Sequence, residues 1–599
     1  MRKELERLRE EMRQAGCDAY ITADCDDHLG EYTDRHFNCM EFISGFTGGD
    51  GTLVVTMEEA GLWTDGRYFI QAEKELKGSG ITLMKEGQPD CPEMLSWIRE
   101  HIPVGGTLGF DGKTVSFRRA KELERKLALK GIGLSADNDL IAKIWIKGRP
   151  APREEKIWIL PEQYAGKSAG EKLAELKSDL REKGAGACLL TAADEIAWLL
   201  NLRGDDIPYC PTFASFFLMD GEQSTLYISK PHLTEETKRY LSDLGLRTET
   251  EVLKVYEDIR ALRSDVIVID DLQTSWNMVQ NIPAEKDVIF SLTPAAIRKN
   301  RKNEVECENL RKAQQKDCAA VTKFMYRFKK EMASGSLTEC GTADLLYELR
   351  AEQEGFLGES FATISAYGEN AAMCHYSPSR ERDVIIRPRG LYLVDSGGHY
   401  PEGSTDITRT WACGPLTQEE KEAYTMVACA NLRLADAVFP KGTNGLTLDY
   451  AVRELFWKKG MDFNHGTGHG VGYLLNVHEG PANIRFRANS STVCDRMEEG
   501  VYVSDEPGLY VEAKFGIRLE NMLLVVKDHE NDFGQFLTFE TMTYVPFDRE
   551  AMEPSLMTEE DKRLYNTYQR NVFEKMSPFL TEEENVWLRK ICEDGVKFM

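Results

Sequence analysis

The chain has no apolar run long enough to span a membrane, and none of its fourteen cysteines forms a CxxC pair. The first lack excludes a transmembrane enzyme. The second argues against a disulfide scaffold and a closed thiolate zinc site, and reads as reduced thiols in a reducing compartment. Positive charge is also short. With 74 Lys and Arg against 99 Asp and Glu, the net charge is −25, which speaks against nucleic-acid binding through phosphate contacts. The start, Met1-Arg-Lys-Glu-Leu-Glu-Arg-Leu-Arg-Glu-Glu, reads as a charged amphipathic helix and not as a signal peptide, so a cytoplasmic protein is expected.

Histidine is scarce, ten in 599 residues, yet three fall within the fourteen residues from His465 to His478. Between them runs His465-Gly466-Thr467-Gly468-His469-Gly470-Val471-Gly472. The i, i+4 histidine spacing fits a helix, but four glycines would each cost roughly 1 kcal/mol in a helix interior, so a helix is rejected. Alternating glycine instead lets a backbone pass close to a neighbour.

Carboxylates flank this block on strand-like segments. Asp395 ends the apolar run Leu391–Val394, and Asp406 opens the run that returns to Trp411, so Gly390 to Trp411 predicts a β-hairpin bringing the two together. Glu506 follows Val501-Tyr-Val-Ser-Asp505, and Glu520 falls within Phe515 to Val526, read as one strand. Two bare carboxylates forced together repel until one holds a proton, and a dication removes the conflict. Two Asp, one His and two Glu form a hard, oxygen-rich set suited to Mn²⁺, with Co²⁺ or Zn²⁺ as alternatives. Taken singly, an Asp beside glycine is an ordinary turn residue. Arg518, two residues from Glu520 on the same strand face, offers that Glu a plain ion pair. His399 reads as a polar loop residue.

A length of 599 residues implies three or more domains. Leu5 to Ile21 and Lys172 to Leu190 share a pattern of charged helix, glycine and strand, which reads as an internal duplication in αβ architecture. Lys147-Gly-Arg-Pro-Ala-Pro-Arg-Glu-Glu reads as a linker. A second break near Lys299 precedes a strong helix from Glu304, and Thr558-Glu-Glu-Asp and Thr581-Glu-Glu-Glu read as helix caps. The expected division is residues 1–152 and 153–299 as two related αβ domains, 300–547 as the catalytic domain, and 548–599 as a helical extension that serves packing.

These motifs, with Ala372-Met-Cys-His375-Tyr, Ala193–Gly204 and Trp63-Thr-Asp-Gly-Arg67-Tyr-Phe, resemble the three-domain aminopeptidase P branch of the pita-bread metallopeptidases. The resemblance implies an α/β (α+β) chain: two creatinase-N-terminal-like domains followed by a pita-bread catalytic domain. It implies hydrolysis of the bond between an N-terminal residue and a following proline, with two metal ions per chain activating a shared water. Asp395 would bind one metal, His469 and Glu506 the other, and Asp406 and Glu520 would bridge them. His375, His465 and His478 would contact substrate or the tetrahedral intermediate, with His478 donating to the developing oxyanion. Glu506 would pass a proton towards the leaving nitrogen. Arg67 would help bind the peptide, and Arg518 would hold the carboxylates in place. The resemblance also implies a homodimer acting on peptides with proline in second position.

Two other readings share these features. A prolidase, restricted to Xaa-Pro dipeptides, shares the five ligands, but the duplicated N-terminal half favours aminopeptidase P. A metal-free peptide-binding relative of the same fold is disfavoured, because all five ligand positions are intact.

Overall fold

Helix α1 (Lys3–Ala15) buries Leu5, Leu8 and Met12 on one face and stops at Gly16, whose φ of 67° suits glycine. Helix α2 (Ala169–Glu182) ends likewise ahead of Gly184, at φ 70°. In each case a strand follows within a few residues, and that strand is central to a six-stranded sheet. The duplication read from the sequence is therefore present in three dimensions.

The computed structural model describes residues 2–137, 139–332, 335–487 and 496–592. The chain divides into two units, Met1–Pro161 with Lys167–Ala296, and Glu162–Gly166 with Ile297–Met599. No helix among the described residues is long and apolar enough to cross a membrane.

The first unit holds both repeats. Strands β1 (Ala19–Thr22), β2 (Thr52–Thr56), β3 (Ala60–Thr64), β4 (Thr82–Lys85), β5 (Thr107–Gly109) and β6 (Gly133–Ser135) order as β4-β3-β2-β1-β5-β6. The second sheet contains β7 (Ala187–Leu190), β8 (Ser215–Asp220), β9 (Gln223–Ile228), β10 (Arg247–Glu249), β11 (Val266–Ile269) and β12 (Asp287–Phe290). Its order is β10-β9-β8-β7-β11-β12. In both sheets the first strand pairs antiparallel with the second and parallel with the fifth. Residues 147–156 between the repeats carry neither helix nor strand, as the Pro- and Gly-containing linker predicts.

The second unit opens on helix α3 (Glu304–Glu331), started by a reciprocal cap between Asn303 and Glu306. The expected hairpin follows: β14 (Leu391–Ser396) runs antiparallel to β17 (Ile407–Ala412), and β13 (Ile364–Tyr367) pairs on the other side of β14. Between the hairpin arms, β15 (Gly398–Tyr400) and β16 (Gly403–Ser404) make a smaller turn. Helix α3 packs on the hairpin through rings. Phe328 stacks on Tyr392 at 4.7 Å, and Phe324 lies 5.5 Å from Trp411.

A six-stranded sheet completes this unit. Its strands are β18 (Val438–Pro440), β19 (Gly468–Gly470), β20 (Glu479–Ile484), β21 (Tyr502–Asp505), β24 (Asn521–Asn531) and β25 (Gly534–Thr541), ordered β18-β25-β24-β21-β19-β20. A separate ribbon pairs β22 (Gly508–Val511) with β23 (Phe515–Arg518).

One expectation is corrected here: Phe515 to Val526 is not a single strand. β23 pairs with β22, whereas β24 pairs with β21, so the chain changes sheets at Leu519-Glu520. Glu520 lies in that crossing, and its N–H donates to the Thr408 carbonyl at 3.0 Å. The capped C-terminal helices form as expected, over Glu559–Met576 and Glu582–Cys592. Tyr565, Val572 and Met576 share the core of this unit with Trp411 and Val503. Residues 593–599 of the expected extension lie outside the described residues.

Helix α4 (Glu339–Ala351) is tied to α3 by a fully buried pair, Arg350 and Asp317, at 2.7 Å. Asp317 also accepts from Tyr400 at 3.0 Å and from Thr405 at 2.9 Å, so one carboxylate anchors the hairpin loop beside Asp406. Breaking a buried pair strands a charge, so Asp317→Ala is expected to destabilise the protein by about 3–5 kcal/mol. Asp317→Leu combined with Arg350→Met is expected to recover much of that loss. Urea unfolding followed by tryptophan fluorescence measures both, and equal losses in the two variants would contradict the assignment.

Candidate metal centre

Sheet packing requires the histidine-glycine block to approach its neighbours closely. A Cβ on Gly468 would lie 1.9 Å from the Ser504 carbonyl oxygen, so only glycine fits there. What the block passes is therefore the backbone of β21. This approach sets His469, on β19, beside Glu506, just beyond the end of β21. The His469 N–H donates to Ser504 Oγ at 3.0 Å, and Ser504 Oγ donates to Glu506 Oε1 at 3.3 Å. His465 lies before the strand and not on a helix, as the glycines predicted.

Around His469 the acids converge. Its Nε2 is 3.3 Å from Glu506 Oε1 and 3.5 Å from Asp406 Oδ2. One ligand atom each from Asp406, His469 and Glu520 lie within 4.8 Å of one another. Asp406 and Glu520 are buried, and both carboxyls are held well above the usual range. For Asp406 the cause is burial, then the charges of Glu520, Asp395 and Glu506. For Glu520 it is burial, then Glu506 and Asp395. Thr408 Oγ1 donates to Glu520 Oε2 at 2.7 Å.

Asp395 stands on β14 opposite Thr408. Its Oδ2 is bound by Arg518 Nη2, while its Oδ1 is buried with no hydrogen-bond partner among the described residues. Arg518 also donates to Thr408 Oγ1 at 3.1 Å and to the Tyr510 hydroxyl at 2.7 Å. The plain pairing of Arg518 with Glu520, open in the sequence, is thus replaced by a pairing with Asp395. An orphaned carboxylate oxygen beside acids that must take up protons fits a site for divalent cations, which would relieve both penalties.

The remaining sequence candidates fall in different settings. His478 packs edge-on against His469, with ring centroids 4.3 Å apart. Both ring nitrogens of His465 meet protein groups: Nδ1 the Gly466 carbonyl at 2.7 Å, and Nε2 the Tyr510 hydroxyl at 2.8 Å. His375 is half-buried beside Cys374, whose carbonyl accepts from Arg518 at 3.4 Å. Arg67 belongs to the first unit, where Asp65 and Asp50 hold its guanidinium, with Nη2 2.7 and 2.6 Å away. His399 is buried on β15, its Nδ1 2.9 Å from Ser404 Oγ.

Sequence reasoning missed Tyr510, Thr408 and Glu479. Tyr510 links His465 to Arg518, and its only signal was the alternation that puts it on the Gly508 face of β22, opposite Arg518. Glu479, next to His478, is buried against Lys299 at 2.7 Å and also pairs with Lys302. Nothing local announced those partners, 180 and 177 residues away.

Comparison with known proteins agrees with this geometry. Residues 308–527 match metallopeptidase family M24, and 535–594 match the C-terminal region of that family. The creatinase/prolidase N-terminal domain matches twice, at 4–138 and 148–306. The probable Xaa-Pro aminopeptidase P of Talaromyces marneffei is 38% identical over 98% of this chain and 91% of its own length. That of Colletotrichum graminicola is 37% identical over 97% and 96%. The crystal structure of the X-prolyl aminopeptidase of Caenorhabditis elegans, a cytosolic enzyme with a di-nuclear active site, superposes with a TM-score of 0.93 at 31% identity. It covers 99% of this chain and 100% of that one. An Xaa-Pro dipeptidase from Bacillus anthracis shares the fold over 64% of this chain at 22% identity, with a TM-score of 0.50. The duplicated αβ half and the acid-rich centre thus define a pita-bread metallopeptidase. The chain belongs to the Xaa-Pro aminopeptidase P family within M24.

The raised carboxyls give a pH signature with a definite sign. In metal-free protein Asp406 and Glu520 keep their protons to higher pH than they do in the unfolded chain, so their contribution to stability falls as pH rises above the ordinary carboxyl range. Cation binding releases those protons and removes the loss. The gap in Tm between Mn²⁺-loaded and chelated protein is therefore expected to widen from pH 5 to pH 8 in a thermal-shift series. A gap independent of pH would contradict the raised carboxyls at Asp406 and Glu520.

Proposed function

We propose that this protein is a metal-dependent aminopeptidase that removes the residue preceding an N-terminal proline. The observation that carries the reading is the approach of His469 Nε2 to both Glu506 and Asp406, with Glu520 completing the donor set. Support comes from full-length relatives named Xaa-Pro aminopeptidase P and from a structural neighbour with a di-nuclear site. Asp395, Asp406, His469, Glu506 and Glu520 are the proposed ligands of two Mn²⁺ ions, with Zn²⁺ or Co²⁺ as substitutes. Asp406, whose carboxyl is raised in part by the charge of Glu520, and Glu520 itself are the two carboxylates proposed to serve both ions. We also propose the four-part division at 152, 299 and 547, a homodimer and a cytoplasmic setting.

When bound, the two ions supply a water activated for attack at neutral pH and an electrophile for the scissile carbonyl. The chain's own groups do the rest. Arg518, fixed by Tyr510 and Thr408, holds Asp395 in one orientation. His478, packed against His469, is oriented by that contact to donate to the developing oxyanion. Glu506, steadied by Ser504, carries a proton to the leaving nitrogen. His375 and His465 are assigned to the substrate, which for His465 means exchanging the Tyr510 hydroxyl for a substrate group. Arg67 is assigned to the peptide.

Proline fits this machinery because its bond to the preceding residue is a tertiary amide without N–H. A site that grips the scissile carbonyl and the free amino terminus does not need that hydrogen. Arg-Pro-Pro is expected to be cleaved well, Arg-Pro poorly and acetylated Arg-Pro-Pro hardly at all, by chromatographic assay of released arginine. Efficient hydrolysis of Arg-Pro alone would move the assignment to prolidase.

The ligand assignment has its own test. His469→Ala is expected to lose both metal and turnover. His478→Ala is expected to keep its metal and lose about 10²–10³-fold in kcat. Elemental analysis beside kinetics separates the two, and metal loss in His478→Ala would redraw the ligand set.

A further inference from the structure

The helical extension reaches the metal centre through polar groups, not through packing alone. Helix α6 (Glu559–Met576) brings Tyr568 into the interior of the second unit, where its hydroxyl accepts from Arg409 Nη2 at 2.7 Å and lies 2.8 Å from the Val545 carbonyl. Arg409, on β17, is fully buried. Its acceptors are all neutral: the carbonyls of Thr408, Glu520 and Val545, the Asn521 side-chain oxygen and the Tyr568 hydroxyl. The guanidinium donates mostly to backbone and clamps the carbonyl of Glu520 at 2.5 Å.

The network continues on the far side. Asn521 Nδ2 donates to Asn431 Oδ1 at 2.9 Å, from helix α5 (Gln418–Ala435). Asn431 Nδ2 then donates to the Asp505 carbonyl at 2.7 Å and to that of Leu519 at 3.3 Å. The carbonyls so held belong to residues 505, 519 and 520. They carry the backbone immediately before Glu506 and at Glu520. Glu520 lies where the chain crosses between sheets, so no regular strand ladder fixes it from both sides. These three carbonyl contacts and the Thr408 bond serve instead.

We infer that Tyr568, Arg409, Asn521 and Asn431 are positioning residues that set the backbone of Glu506 and Glu520, so that the C-terminal extension tunes metal affinity. This rests on the dimetal reading above. Groups that orient ligands change metal affinity by about 10–100-fold when removed. A packing residue on the same helix face does not share that effect, and Met576, fully buried in the same helix, is the natural control.

The experiment is Mn²⁺ titration of full-length apo protein by competition with a chromophoric chelator. Tyr568→Phe is expected to raise the Mn²⁺ Kd about tenfold or more, with kcat restored by excess Mn²⁺ and KM little changed. Asn431→Ala, which opens the other end of the network, is expected to do the same. Met576→Ala is expected to lower Tm in apo and loaded protein alike and leave Kd within twofold. An unchanged Kd in either folded network variant overturns the inference and leaves the dimetal reading standing. Wild-type protein that binds no Mn²⁺ overturns both.

Discussion

Crowding of negative charge is the constraint on which the catalytic half of this protein depends. Asp395, Asp406, Glu506 and Glu520 meet where burial leaves little water to screen them, and the neighbouring charges raise the energy of the ionised forms of Asp406 and Glu520. Asp505 adds a further acid. It is fully buried, neither carboxylate oxygen has a hydrogen-bond partner among the described residues, and burial with the nearby Glu520 and Glu506 holds it well above the ordinary range. Such a cluster does not stabilise a fold. It persists because the surrounding structure leaves it no alternative geometry, and the proposed metal ions would neutralise it.

The scaffold that imposes this geometry is built from buried ions held by one another, by hydroxyls and by backbone carbonyls. Asp317 and Arg350 pin the hairpin loop before Asp406, Arg409 pins the crossing at Glu520, and Lys299 with Lys302 pins Glu479 beside His478. Each lies one residue or so away from a group with a proposed chemical role. Buried polar networks are costly when half made and rigid when complete, which is what ligand placement within tenths of an ångström demands.

The N-terminal unit follows a different logic. Its two sheets share strand order and pairing sense, and each begins with a helix stopped by a left-handed glycine. That a creatinase/prolidase N-terminal domain matches twice gives the duplication a family context. Within the first repeat, Arg67 is gripped by two aspartates, so its guanidinium is held in place by its own domain.

Much of this was legible in the chain. Local patterns named the hairpin of Asp395 and Asp406, the non-helical histidine block, the helix opening at Glu304, the capped helices at Thr558 and Thr581, and the repeated helix-glycine-strand units. They are written in residues a few positions apart, where periodicity and turn chemistry act. The sequence by itself thus determined which chemical groups are present and which local elements carry them. Tertiary structure alone decided who meets whom: Arg518 chose Asp395, 123 residues distant, over nearby Glu520, and Asn431 reached Asn521 across 90 residues. The uninterrupted strand expected through Glu520 failed for the same reason. Which sheet a segment joins is set by burial of its faces against partners far along the chain, and no local pattern encodes that choice.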